Sequence, residues 1–143
     1  MHKKVWIGFA AVFVTIALVD TIVNMFLLRS TYMDPTMTHL WRPEAEMKIW
    51  LFYVVYLFQS FFFSLIFSKG YEGKGVVEGI RYGFYVGVMM AIGMGYGTYG
   101  AMPITYSLAL QWFLYGILEF MIAGAVLAMV FGKKATVTPV PAT

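Results

Sequence analysis

The chain has 143 residues, 61% of them hydrophobic and 12% charged, with a formal net charge of +3. A soluble domain is about half apolar and about a quarter charged, so the composition excludes a water-soluble fold of this size and leaves room for one membrane domain. The absence of cysteine excludes disulfides, thiolate metal sites and thiol redox chemistry, and with histidine only at His2 and His39 a haem held between two histidines inside a bundle is excluded too.

Four apolar runs, each near the roughly 20 residues needed to cross the hydrocarbon layer, predict an all-α fold: a four-helix transmembrane bundle of two hairpins over residues 1–132. The first span is expected at about 5–28. Its opening, His2, Lys3 and Lys4 ahead of an apolar stretch, resembles a secretory signal. No small-x-small cleavage site follows, however, and the apolar pattern resumes after Asp20, which reads as a retained span.

The loop 29–47 is the longest and carries the most varied chemistry: Asp34, Pro35, His39, Trp41, Arg42, Pro43, Glu44 and Glu46. Pro43 suits a first helical turn, and Glu44 and Glu46 suit the positive end of the helix dipole, so a helix start is expected there. Asp34, His39 and Glu44 match no metal-ligand spacing, and no metal site is expected. The second span follows at about 48–68, with Phe61 read as lipid-facing. A glycine-containing turn leads to the third span at about 79–99, and a short connection around Pro103 to the fourth at about 106–131. This makes the last two spans a tight hairpin. Residues 133–143, rich in Thr, Pro and Ala, are expected to form a disordered cytoplasmic tail.

Lys3, Lys4, Lys69, Lys74, Arg81, Lys133 and Lys134 lie on one side of these spans, and Arg29, Arg42 and Lys48 on the other. The positive-inside rule then places both termini in the cytoplasm. The charge is gathered at helix ends and forms no basic stripe with interleaved aromatics, so no nucleic-acid partner is expected.

Polar side chains inside the spans are costly and therefore informative. Asp20 and Asn24 sit one turn apart on the first span, Gln59 lies mid-way along the second, and Glu119 near the centre of the fourth. From a rise of 1.5 Å per residue, Asp20 is expected roughly 13 Å and Glu119 roughly 20 Å from the outer helix ends. That offset disfavours a carboxylate pair sharing one proton, and water or a tyrosine among Tyr53, Tyr56, Tyr96 and Tyr115 could bridge the two. The bland reading is that these groups are hydrogen-bonding glue between helices; the functional one is that they line a wet cavity. Arg81 reads as a snorkelling anchor with Glu78 close by on the same helix.

The most specific pattern is a stripe of small residues at every fourth position of the third span: Gly79, Gly83, Gly87, Ala91 and Gly95. Gly116, Gly124 and Ala128 echo it on the fourth. Such stripes let two backbones approach closely, and in a tight hairpin they should face each other. Gly93 and Gly97 fall on a neighbouring face.

The stretches Leu40-Trp41-Arg42-Pro43-Glu44, Arg81-Tyr82-Gly83, Met102-Pro103-Ile104 and Gln111-Trp112-Phe113 give the chain a resemblance to uncharacterised four-span bacterial inner-membrane proteins, filed as a domain of unknown function. The resemblance implies a multi-pass protein of the bacterial inner membrane and brings no activity or site with it. The small multidrug-resistance transporters also have four helices and an acid in the first, but their acidic motif has no counterpart around Asp20.

The leading expectation is a non-catalytic subunit or assembly partner of a membrane complex, held in the lipid bilayer against another membrane subunit or itself. The alternative is a small homo-oligomeric transporter or channel for protons, cations or small polar molecules that uses Asp20 and Glu119. No enzyme and no cofactor are expected, since no nucleophile–base pair appears. The run Gly70, Gly73, Gly75 and Gly79 also lacks the lysine-hydroxyl ending of a phosphate loop.

Overall fold

The computed structural model describes residues 2–133 and 140–142, so most of the expected disordered tail lies outside the described residues. Four helices, Lys3–Leu27, Ile49–Gly70, Val76–Ala101 and Tyr106–Phe131, are long and apolar enough to cross a membrane. We refer to them as the first to fourth spans. The end of the bundle holding Lys3, Gly70, Val76 and Phe131 is called basal, and the end under the loop 29–47 distal. The described residues contain no strand.

Local chemistry sets the boundaries. Gly75, at φ +81°, makes a turn that other residues resist, and the third span starts directly after it, earlier than the expected residue 79. Thr105 caps the fourth span by accepting the Leu108 N–H at 3.3 Å. At the other end Gly132, at φ +70°, ends the helix and returns its N–H to the Ala128 carbonyl at 2.9 Å. The expected helix start at Pro43 is corrected. Glu44–Glu46 is an isolated 3₁₀ turn, Met47 is extended, and helix begins only at Ile49, so the two glutamates are not in the first turn of the second span.

The third and fourth spans share the closest interface, while the first span packs against both the fourth and the second. A Cβ built on Gly79 would clash with the Gly124 carbonyl oxygen, one on Gly124 with that of Gly79, and one on Gly83 with that of Phe120. Further along, a Cβ on Gly87 would stand 2.9 Å from Ile117 Cα, one on Gly95 2.6 Å from the Ala109 oxygen, and one on Gly116 2.8 Å from the Ala91 Cβ. The two small-residue stripes therefore meet backbone to backbone. Gly93 and Gly97 have open space instead.

The second and third spans are joined mainly by aromatic side chains near the basal end. The Tyr82 ring lies 4.6 Å from Phe63 and 5.2 Å from Phe67, and its hydroxyl donates to the Phe63 carbonyl at 2.8 Å. Around them Val5, Val12, Ile16, Phe120, Leu127 and Phe131 form the basal core. Lys4 Nζ donates to the Phe131 carbonyl at 2.7 Å, placing a cation on the negative end of the fourth helix. The lipid-facing reading of Phe61 is also corrected: its ring packs 5.9 Å from both Trp6 and Phe9 of the first span.

At the distal end the loop 29–47 folds back over the bundle. Met37 is fully buried with Val23, Leu28, Ile104 and Leu108, and its sulfur accepts the Thr105 N–H at 3.4 Å.

Candidate functional site

The first span leaves α geometry just past Asp20: residues Val23–Leu27 form a π-helical turn. A second π-helical turn, Gly93–Gly97, interrupts the third span. Such turns recur at functional positions because they re-aim the side chains that follow.

A chain of hydrogen bonds runs from this turn toward the membrane centre. Trp112 Nε1 donates to the Tyr32 hydroxyl at 2.7 Å, which donates to Asn24 Oδ1 at 2.5 Å. Asn24 Nδ2 in turn donates to the Asp20 carbonyl at 2.9 Å. The Asp20 carboxylate accepts the Tyr56 hydroxyl from the second span. Trp41 joins from the loop, with Nε1 donating to the Tyr32 carbonyl at 3.2 Å and its ring 5.4 Å from that of Tyr32. The chain thus ties the loop to the first, second and fourth spans.

Glu119 lies close enough to Asp20 and Tyr56 to interact with them electrostatically. The approach of Gly8 to Leu127 sets the register of the first and fourth spans. In that register Glu119 sits level with Ile16, about one turn, or roughly 6 Å, deeper than Asp20. It is half-buried and its side chain makes no hydrogen bond among the described residues; the same holds for Gln59. The structure therefore gathers Asp20, Asn24 and Glu119, and does not tie Gln59 to them by a hydrogen bond.

One other expectation changes, and Asp34 finds a local role. Glu78 is buried and accepts the backbone N–H of Glu72 at 2.6 Å and of Lys74 at 2.8 Å, so it serves the loop between the second and third spans; Arg81 is exposed. Asp34 accepts the Thr36 hydroxyl at 2.6 Å and its N–H at 2.9 Å, which holds its carboxyl below the usual carboxylate range and commits it to a loop turn.

Sequence reasoning missed Tyr32 and the part played by Trp112. The four-residue spacing Asp20, Asn24, Leu28 and Tyr32 drifts off one face of a uniform α-helix, so periodicity alone did not mark Tyr32.

Chemically, the chain is suited to holding and poorly suited to conducting. An indole N–H only donates, and an amide does not relay protons, so the links from Trp112 through Tyr32 and Asn24 have a fixed direction. Burial pushes the Tyr32 phenol up to about 12, against the opposing pull of the Trp112 hydrogen bond. The folded value lies above the ordinary value of about 10, so the unfolded chain loses this proton first. The contribution of Tyr32 is whole below pH ~10 and is lost between about pH 10 and 12, an effect of about 2–3 kcal/mol. The stability advantage of the parent over Tyr32→Phe should accordingly shrink through that window in a thermal-unfolding series. A gap that stays constant from pH 9 upward would contradict this account.

Comparison with protein-family profiles, with curated proteins and with solved structures finds no match to the chain.

Proposed function

We propose that this small membrane protein is a non-catalytic subunit or assembly partner of a bacterial inner-membrane complex, with both termini in the cytoplasm. One observation carries the reading. Every residue from 49 to 55 in the distal half of the second span is exposed, which covers nearly two full turns and therefore all sides of the helix. Trp50 is 64% and Phe58 59% exposed, and in this stretch Tyr56 alone turns inward to Asp20. A span that belonged only to this bundle would bury a continuous stripe along its whole length. One that leaves the bundle and presents aromatic side chains all round has the form of an element shared with another membrane helix.

Photo-crosslinking from position 53 in native membranes, followed by identification of the adduct, tests this. A stoichiometric protein adduct from Tyr53, absent when the crosslinker sits at Met129 on the fourth span, is the expected result. Lipid adducts alone would overturn it. A reporter fused after Thr143 should be active only in the cytoplasm, because the basal end carries most of the lysines and arginines.

A second reading, a small transporter or channel, draws on the closeness of Glu119 to Asp20 and Tyr56 without a cation between them among the described residues. It ranks lower because the chain leading to Asp20 from the distal side is built from groups that do not pass protons on.

A further inference from the structure

We infer that the basal end is a docking surface for anionic phospholipid headgroups, centred on Lys4, Lys74 and Lys133. Three elements bring these cations together. Lys4 at the start of the first span reaches the Phe131 carbonyl, two residues before Lys133. The aliphatic stem of Lys133 lies over Gly75, where a Cβ would come within 2.9 Å of its Cε, and Lys74 is the adjoining residue of the loop. All three are exposed, as are Lys3, Lys69 and Arg81 around them.

The acids at this end offset only part of the patch, since Lys3, Lys4, Lys69, Lys74, Arg81 and Lys133 outnumber Glu72 and Glu78. Glu78 is buried, and its two oxygens accept the N–H groups of Glu72 and Lys74, so it points into the loop and fixes its shape through charge-assisted bonds. Glu72 pairs with Lys74 at the rim. At the distal end, by contrast, Arg29, Arg42 and Lys48 are offset by Asp34, Glu44 and Glu46. The asymmetry assigns the anionic partner to the basal end.

The same geometry favours a lipid surface over a free anion. The loop 71–75 contains backbone N–H groups that could cradle a single phosphate, but Glu78 already occupies two of them. What remains is a spread of flexible side-chain cations at the ends of four apolar spans, at the depth of lipid headgroups. This inference does not depend on the chain having a protein partner.

The test reconstitutes the purified protein in vesicles of equal phosphatidylcholine and phosphatidylglycerol, extracts it in small native discs, and measures the lipid ratio retained around it. Enrichment of phosphatidylglycerol by about fivefold per engaged cation is expected at low salt, the equivalent of about 1 kcal/mol each. It should fall stepwise in Lys133→Gln and in Lys133→Gln/Lys69→Gln, which leave the Lys74–Glu72 pair intact, and persist in Arg29→Gln/Arg42→Gln at the other end. Lys4 is left in place because it also caps the fourth helix. Unchanged enrichment in the basal double variant, or equal loss in the distal one, would overturn the inference. So would displacement of the lipid by millimolar inorganic phosphate at matched ionic strength, which would mark a site for the free anion.

Discussion

Leucine at Gly83 is expected to abolish the assembled bundle, with a loss of at least about 4 kcal/mol, because even a Cβ at this position would clash with the Phe120 backbone. Backbone cannot move aside as a flexible side-chain end can, so the third and fourth spans must separate. Gly83→Ala should already cost about 2 kcal/mol, in the range of overpacking a close interface. Gly93→Ala and Gly97→Ala, whose Cβ positions meet open space, should stay within about 0.5 kcal/mol of the parent. Reversible unfolding in mild detergent, with all four variants side by side, gives the comparison. Similar stabilities for Gly83→Ala and Gly93→Ala would mean that the stripe does not hold the hairpin together.

Asp20→Leu should cost about 1–3 kcal/mol, because the half-buried Tyr56 hydroxyl would lose its acceptor. Asp20→Asn keeps an oxygen at the same place and should lose much less. Glu119→Gln breaks no hydrogen bond present among the described residues and should leave assembly intact. In reconstituted vesicles neither the parent nor these variants is expected to take up protons or cations. Robust uptake by the parent that disappears in Asp20→Asn or Glu119→Gln, with the fold preserved, would displace the assembly reading in favour of a transporter.

What could be read from the residues divides along physical lines. The spans follow from apolar length alone, and the glycine register follows from a spacing that repeats along one helix, so both belong to local pattern. For the second span the apolar run gives a start near residue 48, and the helix begins at Ile49, but the approach to it did not follow: Pro43, Glu44 and Glu46 satisfy the chemistry of a helix N-terminus, yet the chain spends them on a separate 3₁₀ turn. Glu78 was read beside Arg81 because residues three apart share a helix face, but its carboxylate turns back to loop N–H groups that no helical spacing reveals. Tyr56 stood among four possible bridging tyrosines, and only the packing of the second span against the first selects it.

The π-helical turn at Val23–Leu27 has a consequence for the phase of everything beyond it. In an unbroken α-helix Tyr32 would be rotated roughly 120° from Asp20, since twelve steps of about 100° overshoot whole turns by that amount. A π turn accommodates one additional residue, which takes back about 100° of this rotation. Together with the bend at Leu28, this brings Tyr32 back toward the face that carries Asp20 and Asn24, where its hydroxyl reaches Asn24. The inserted residue acts as a phase corrector that lets a loop aromatic and an intramembrane acid, twelve positions apart, address the same interior. A helical wheel drawn with uniform periodicity would place Tyr32 on the wrong side of the helix.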